Sequence, residues 1–158
     1  MKVRRQRAEN EKPPIECLFG RRKAEQDFIM LGTNDVKTMY SASPHAISAG
    51  MERLVRICKN TCSLPYTSSA DAKILIIAPV RLHADLHGKD WYDFTAESYE
   101  KSEKLPACYQ AVEERNGCAF LDASALISAG DIDGIHLNVE GHTALANLLK
   151  STIDQLGA

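Results

Sequence analysis

The chain has no apolar run long enough to cross a bilayer; its longest, around Ile74 to Pro79, is far short of the roughly 20 residues a helical span needs. No apolar stretch follows the basic N-terminus in the manner of a signal peptide, which argues for a cytoplasmic protein and against a membrane partner. Charge of one sign is lacking too. The 19 Lys and Arg against 21 Asp and Glu leave a net charge of -2, so no overall nucleic-acid footprint exists. Cysteine is scattered: Cys17, Cys58, Cys62, Cys108 and Cys118 make an odd set with no CxxC pair. Neither a disulfide framework nor a structural zinc site is supported, and the five read as reduced thiols. Cys58 and Cys62 stand at i, i+4, a spacing that also suits a metal, but the small buried hydrophobe is the commoner role of a lone thiol. Internal repeats and low-complexity tracts are absent. No turn carries a glycine-rich phosphate cradle or a P-loop lysine, which ranks a nucleotide site last.

What is present is the profile of one globular domain: 158 residues, 44% hydrophobic and 25% charged, enough chain to bury roughly two-thirds of its unfolded surface. Residues 1–26 stand apart as a basic arm, with Lys2, Arg4, Arg5, Arg7, Lys12, Arg21, Arg22 and Lys23 against Glu9, Glu11, Glu16 and Glu25. Weak periodicity there reads as a mobile segment, in which Ile15 to Phe19 is strand-like. Residues 27–158 form the domain proper. Short β-rich runs at Phe28 to Leu31, Lys73 to Ala78 and Cys118 to Leu121 alternate with longer helical stretches, the pattern of βα units on a parallel sheet.

Ser43 and Pro44 open a helix that places Ile47, Met51, Leu54, Val55 and Cys58 on one face. A second helix between Ala96 and Arg115 carries Tyr99, Leu105, Cys108, Tyr109 and Val112, with Pro106 expected to kink or restart it. The last follows Asn138, with Val139, His142, Leu145, Ala146, Leu149, Ile153 and Leu156 as its apolar stripe.

Two segments carry chemistry. The first, Leu31-Gly32-Thr33-Asn34-Asp35, leaves the carboxyl end of a strand, where open α/β sheets place ligands. Glycine permits close backbone approach there, although Asn and Asp also make ordinary turns. The second, Asp131-Ile132-Asp133-Gly134-Ile135-His136, sets an aspartate three residues ahead of a histidine. That pair suits a carboxylate fixing an imidazole's tautomer for acid-base work, and equally suits a turn with a surface histidine.

In this order, each after a strand, GTND and DGIH resemble two of the conserved blocks of the SGNH hydrolases, the GDSL esterases. FIMLGTNDVK, KILIIAPV and FLDASALISAGDIDGIHLNVEGHTALA extend the resemblance over about Asp27 to Leu156, and it is most similar to the aryl-esterase and acyltransferase branch. It implies a three-layer α/β/α domain with a parallel, flavodoxin-like sheet, N-terminally incomplete here. It implies hydrolysis or transfer of an acyl ester through a serine acyl-enzyme, on a small-molecule ester, with no cofactor and no metal. By position, Asn34 would donate to the oxyanion, His136 would be the general base and then acid, and Asp133 would orient it. Gly32 and Thr33 belong to the site loop, and Asp35 is expected to fix that loop by hydrogen bonds.

The family's nucleophile does not appear: no Gly-Asp-Ser or Gly-x-Ser-x-Gly occurs in the 158 residues, and the glycine block that supplies a second oxyanion donor is missing as well. Ile15 to Gly20 resembles the expected first strand but continues Arg21-Arg22. Gly20 to Asp27 is too short for a parallel crossover, which takes at least about 10 to 12 residues. An internal deletion, a frameshift upstream of Asp27 or a mispredicted start each account for this. An uncovered first strand neighbour leaves an apolar edge at Phe28 to Leu31, which favours homo-oligomers or aggregation and lowers stability. Ser41, Ser43, Ser124 and Ser128 are substitute nucleophiles only outside a sharp strand-to-helix turn. Two rivals remain: a metal site at His83 with His87 or at His136 with His142, disfavoured because HADLH lacks the zinc-protease glutamate, and a non-catalytic remnant acting as a binding or oligomerising module.

Overall fold

Five apolar residues following Lys73 form a strand that requires cover on both faces, and in β2 (Lys73–Ala78) Lys73 alone is exposed. The structure, a computed structural model, describes residues 26–62, 73–86 and 93–157. Residues 1–25 of the basic arm, with the Ile15 to Phe19 patch, and His87, Trp91 and Tyr92 lie outside the described residues, while Gln26, read as the end of the arm, opens the first strand. Strand β1 (Gln26–Ile29) pairs parallel with β2, setting Phe28 opposite Leu75. On the other side β3 (Ala119–Asp122) is also parallel, with Phe120 opposite Ile76. The order β1-β2-β3 puts the most apolar strand in the middle.

The two-residue period of β2 divides the interior. Ile74, Ile76 and Ala78 point into a core shared with α1 (Pro44–Cys62) and α2 (Ala96–Asn116), whereas Leu75 and Ile77 point into a second core beneath α3 (Val139–Gly157). Helices therefore cover both faces, the expected three-layer arrangement.

Each helix begins where its cap chemistry dictates. Ser43 Oγ accepts the Ala46 N–H at 3.2 Å, with Pro44 in the first helical position. Ser98 Oγ accepts the Thr95 N–H at 3.1 Å to open α2, and Gly117 closes it in a left-handed conformation with its N–H donating to the Glu113 carbonyl at 2.7 Å. Asn138 Oδ1 accepts the Gly141 N–H at 2.8 Å ahead of α3. Glu52 joins α1 to α2, accepting from Arg56 at 2.6 Å, Arg115 at 2.9 Å and Asn116 at 3.3 Å. The Arg115 and then the Asn116 hydrogen bonds, against an opposing desolvation, hold its carboxyl at about 2.

The structure corrects four expectations. Pro106 does not restart its helix: α2 runs on through it as one element, because Leu105, Tyr109 and Val112 are fully buried around it and that packing outweighs the ~3 kcal/mol a helical proline costs. Strand β1 ends two residues before Leu31, whose carbonyl is taken by Tyr109 rather than by the ladder. Strand β3 is shifted by one residue, beginning at Ala119 rather than Cys118 and ending at Asp122, which pairs opposite Ala78. Finally, the α3 stripe is displaced. Val139 is 77% exposed and His142 and Ala146 face solvent, while Leu145, Leu148, Leu149 and Leu156 pack on the sheet. A helix returning antiparallel to the strands starts above their carboxyl ends, where its first turn meets no sheet.

Among the described residues β1 has one strand neighbour, and Phe28 and Leu31 beside it are 46% and 54% exposed. No helix among them is long and apolar enough to cross a membrane.

Candidate active site

Beyond β3 the chain makes a short 3-10 turn (Ala123–Ala125) and then the loop that carries Asp133 and His136. Asp133 is used twice. Its Oδ1 accepts the main-chain N–H of Ile135 at 2.8 Å and of His136 at 2.9 Å, while Oδ2 lies 2.6 Å from His136 Nδ1. Desolvation alone would raise the Asp133 carboxyl. The His136 ring and these two main-chain donors prevail and hold it at about 2. An ionised carboxylate only accepts, so Nδ1–H is the donor, and in the neutral imidazole the lone pair is then on Nε2. The His136 side chain is 80% exposed, so that nitrogen faces outward, whereas the Asp133 side chain is 22% exposed.

The backbone around the pair is fixed by its own hydrogen bonds. Gly130 N–H donates to the His136 carbonyl at 2.7 Å, Gly134 N–H to the Gly130 carbonyl at 3.0 Å, and His83 N–H to the Gly134 carbonyl at 2.8 Å. Gly134 has φ +71°, and a Cβ there would stand 2.9 Å from His83 Cβ. Only glycine meets both conditions. A cavity of about 220 Å³ opens beside the turn, lined by His83, Asp85, Leu86, Asp131, Asp133 and Gly134.

The Asn34 loop leaves β1 by a different route. Tyr109 Oη donates to the Leu31 carbonyl at 3.0 Å, Asp35 N–H to the Gly32 carbonyl at 3.0 Å and Lys37 N–H to the Asn34 carbonyl at 3.3 Å. Val36 anchors the loop in the core with no exposed surface. Thr38 ties its far end to the Asp93 carbonyl through its N–H at 3.1 Å and its hydroxyl at 3.2 Å. Asn34 is exposed, and among the described residues its side-chain amide makes no hydrogen bond. It is therefore an uncommitted pair of N–H donors. The Asp35 main-chain N–H ties the loop to Gly32, and Asp35 also lines an apolar groove of about 420 Å³ with Leu31, Ala46, Met51, Leu54 and Tyr109. Thr33 is half-buried in the turn.

Both loops thus leave the carboxyl edge of one sheet, from strands two spacings apart, about 10 Å. The serines are placed elsewhere. Ser43 Oγ caps α1, Ser124 donates its hydroxyl to Asp122 Oδ1 at 2.5 Å, Ser41 ends the Thr38–Tyr40 turn with φ 50°, and Ser128 bridges to Arg81. Among the described residues the His136 ring bonds Asp133 and no serine. No three His, Cys, Asp or Glu side chains among them are grouped to hold a metal ion; Cys58 is in the core at 5% exposure. The sequence offered Tyr109 only as part of a helical stripe and His83 only as a metal candidate with His87, because their places beside the two loops are made by tertiary approach and leave no spacing to read.

No protein-family model and no curated protein matches the chain. Solved structures do. One is similar over 89% of this chain at 31% identity and a TM-score of 0.78, of which this chain covers 63%. A carbohydrate acetylesterase from Sinorhizobium meliloti is similar at 31% identity and TM-score 0.75, covering 83% of this chain and 60% of its own. An aryl esterase of M. smegmatis is similar at 27% identity and TM-score 0.75, with the same two shares of 83% and 60%. The chain thus spans about 60% of the length of the esterases it matches. Its parallel sheet with helices on both faces, and the GTND and DGIH loops at one edge of that sheet, make this chain similar in structure to esterases of the SGNH type.

Proposed function

We propose that the chain serves ester hydrolysis, with His136 as general base and acid, Asp133 as the group that orients it and Asn34 as an oxyanion donor. The observation that carries this reading is the Asp133 carboxylate, pinned by two main-chain N–H groups on one oxygen and holding the imidazole at 2.6 Å with the other. In the reaction His136 Nε2 takes the proton of an attacking hydroxyl as that oxygen bonds the ester carbonyl carbon. The Asn34 amide donates to the carbonyl oxygen as it becomes an oxyanion, a contribution typically worth ~3 to 4 kcal/mol. The imidazolium then returns its proton to the departing alkoxide, and water repeats the sequence on the acyl intermediate. Similar proteins include a carbohydrate acetylesterase and an aryl esterase, so small acetyl esters of sugars and phenols are the substrates to try. Acyl transfer to an alcohol, a cytoplasmic setting and self-association through the β1 edge belong to the same proposal.

A second reading is favoured by one observation: no Gly-Asp-Ser occurs in the sequence and no described serine bonds His136. On that reading the chain binds without cleaving. A fluorophosphonate separates the two, because only an activated serine reacts with it. The hydrolase reading expects a stoichiometric adduct on a single serine, lost in His136→Ala, with turnover of phenyl acetate. An unlabelled chain without turnover supports the binding module.

A further inference from the structure

We propose that Tyr109 is the positioning residue of the oxyanion loop, acting through the Leu31 carbonyl to set where Asn34 presents its amide. The proposal rests on the reading of Asn34 given above. Tyr109 lies on α2, 78 residues along the chain from Leu31, with 1% of its surface exposed. A buried phenol needs a partner for its hydroxyl, and many carbonyls in a core would serve. This one is the last carbonyl before Gly32, where the chain turns out of β1 into the loop.

Two further features make the contact more than core satisfaction. Gly32 has φ +125°, and a Cβ at that position would stand 2.5 Å from Tyr109 Oη and 3.3 Å from Leu105 Cδ1. The phenol is therefore in direct apposition to the glycine backbone, and the glycine is required by the phenol as well as by its own dihedral. Beyond Gly32, the remaining loop bonds are made within the loop or at its far end: Asp35 to Gly32, Lys37 to Asn34 and Thr38 to Asp93. Tyr109 thus supplies the tie at the loop's near end. Burial and then the Asp35 charge push the phenol's pKa up, so the hydroxyl remains a donor at any pH at which the protein is handled.

The test is Tyr109→Phe, which keeps the ring in the core and removes the hydroxyl. Hydrogen exchange of the Asp35 and Lys37 amides should rise about five- to tenfold, the equivalent of one ordinary hydrogen bond, while that of Ile76 in β2 stays unchanged. The Asn34 side-chain amide resonance should move. In an active enzyme kcat should fall with KM unchanged. Gly32→Ala adds a sharper arm: its loss of melting temperature should be smaller in the Tyr109→Phe background, because the clash with Oη is gone while the dihedral strain persists. Should Tyr109→Phe fail to fold, the wild-type protein still decides, through a deuterium isotope shift on the Leu31 carbonyl carbon from the Tyr109 hydroxyl. Equal costs of Gly32→Ala in both backgrounds, Asp35 exchange that follows Ile76, or no isotope shift would overturn the proposal. A wild-type chain without hydrolysis would count against the function reading alone, since the exchange and isotope measurements do not depend on turnover.

Discussion

The two loops at the sheet edge solve the same problem in opposite ways. The Asp133–His136 turn is pinned chiefly from within: one carboxylate caps two main-chain N–H groups, holds the ring and leaves the other imidazole nitrogen outward, with the His83 N–H on the Gly134 carbonyl as a remote tie. The Gly32–Thr38 loop is held from elsewhere, by a tyrosine on α2, by Val36 sunk in the core and by the Asp93 carbonyl. Local pinning puts structure and chemistry into one residue. Remote pinning separates them, leaving the Asn34 side chain with no hydrogen-bond partner among the described residues while other residues keep the loop in place. The contrast predicts that aspartate substitutions cost both fold and function, whereas an asparagine substitution costs function alone.

The largest effect is expected for Asp133→Ala. In an active enzyme kcat should fall about 10⁴-fold, the size of losing the group that orients a catalytic histidine. Melting temperature should fall with it, because the Ile135 and His136 N–H groups lose their acceptor. Next comes Asn34→Ala, with kcat lower by about 10²- to 10³-fold and stability within about 0.5 kcal/mol of wild type. A matching loss of stability in Asn34→Ala would erase the contrast between the loops.

Gly134→Ala should destabilise by ~1 to 3 kcal/mol in chemical denaturation, since φ +71° and the His83 side chain both oppose a Cβ. The acid response gives a smaller, sharper difference. The Asp133 carboxyl titrates at about 2 in the fold against 3.8 ordinarily, so the unfolded chain binds the proton first. Its contribution to stability is full above the unfolded value and disappears as pH falls through about 2. Unfolding measured across that window should be steeper in wild type than in Asp133→Asn. Smallest of all is Thr38→Val, which removes one exposed hydroxyl bond to Asp93 and should cost under about 1 kcal/mol in the same denaturant assay.

The sequence made local features legible and hid the non-local ones. Strand β2 was readable to the residue because a continuous apolar run admits one interpretation, and Ser43 and Asn138 marked helix starts because their side chains act within three residues. The Asp133–His136 contact was readable for the same reason. The end of β1 was not, because a carbonyl's partner 78 residues away decides it. Neither was the passage of α2 through Pro106, which packing determines, nor the outward turn of Val139, an apolar residue left above the sheet. Asp35 illustrates the limit well: the sequence indicated a loop-fixing residue but not that the hydrogen bond doing so would come from its main-chain N–H to the Gly32 carbonyl.

On the proposed mechanism Asn34 and His136 address a single reacting centre from loops that follow separate strands. Titrating the protein with phenylphosphonate, a stable anionic tetrahedral mimic, while following the Asn34 side-chain amide and the His136 ring by NMR tests this directly. Both signals should move together along one binding curve. Movement of one without the other, or two curves with different midpoints, would contradict it.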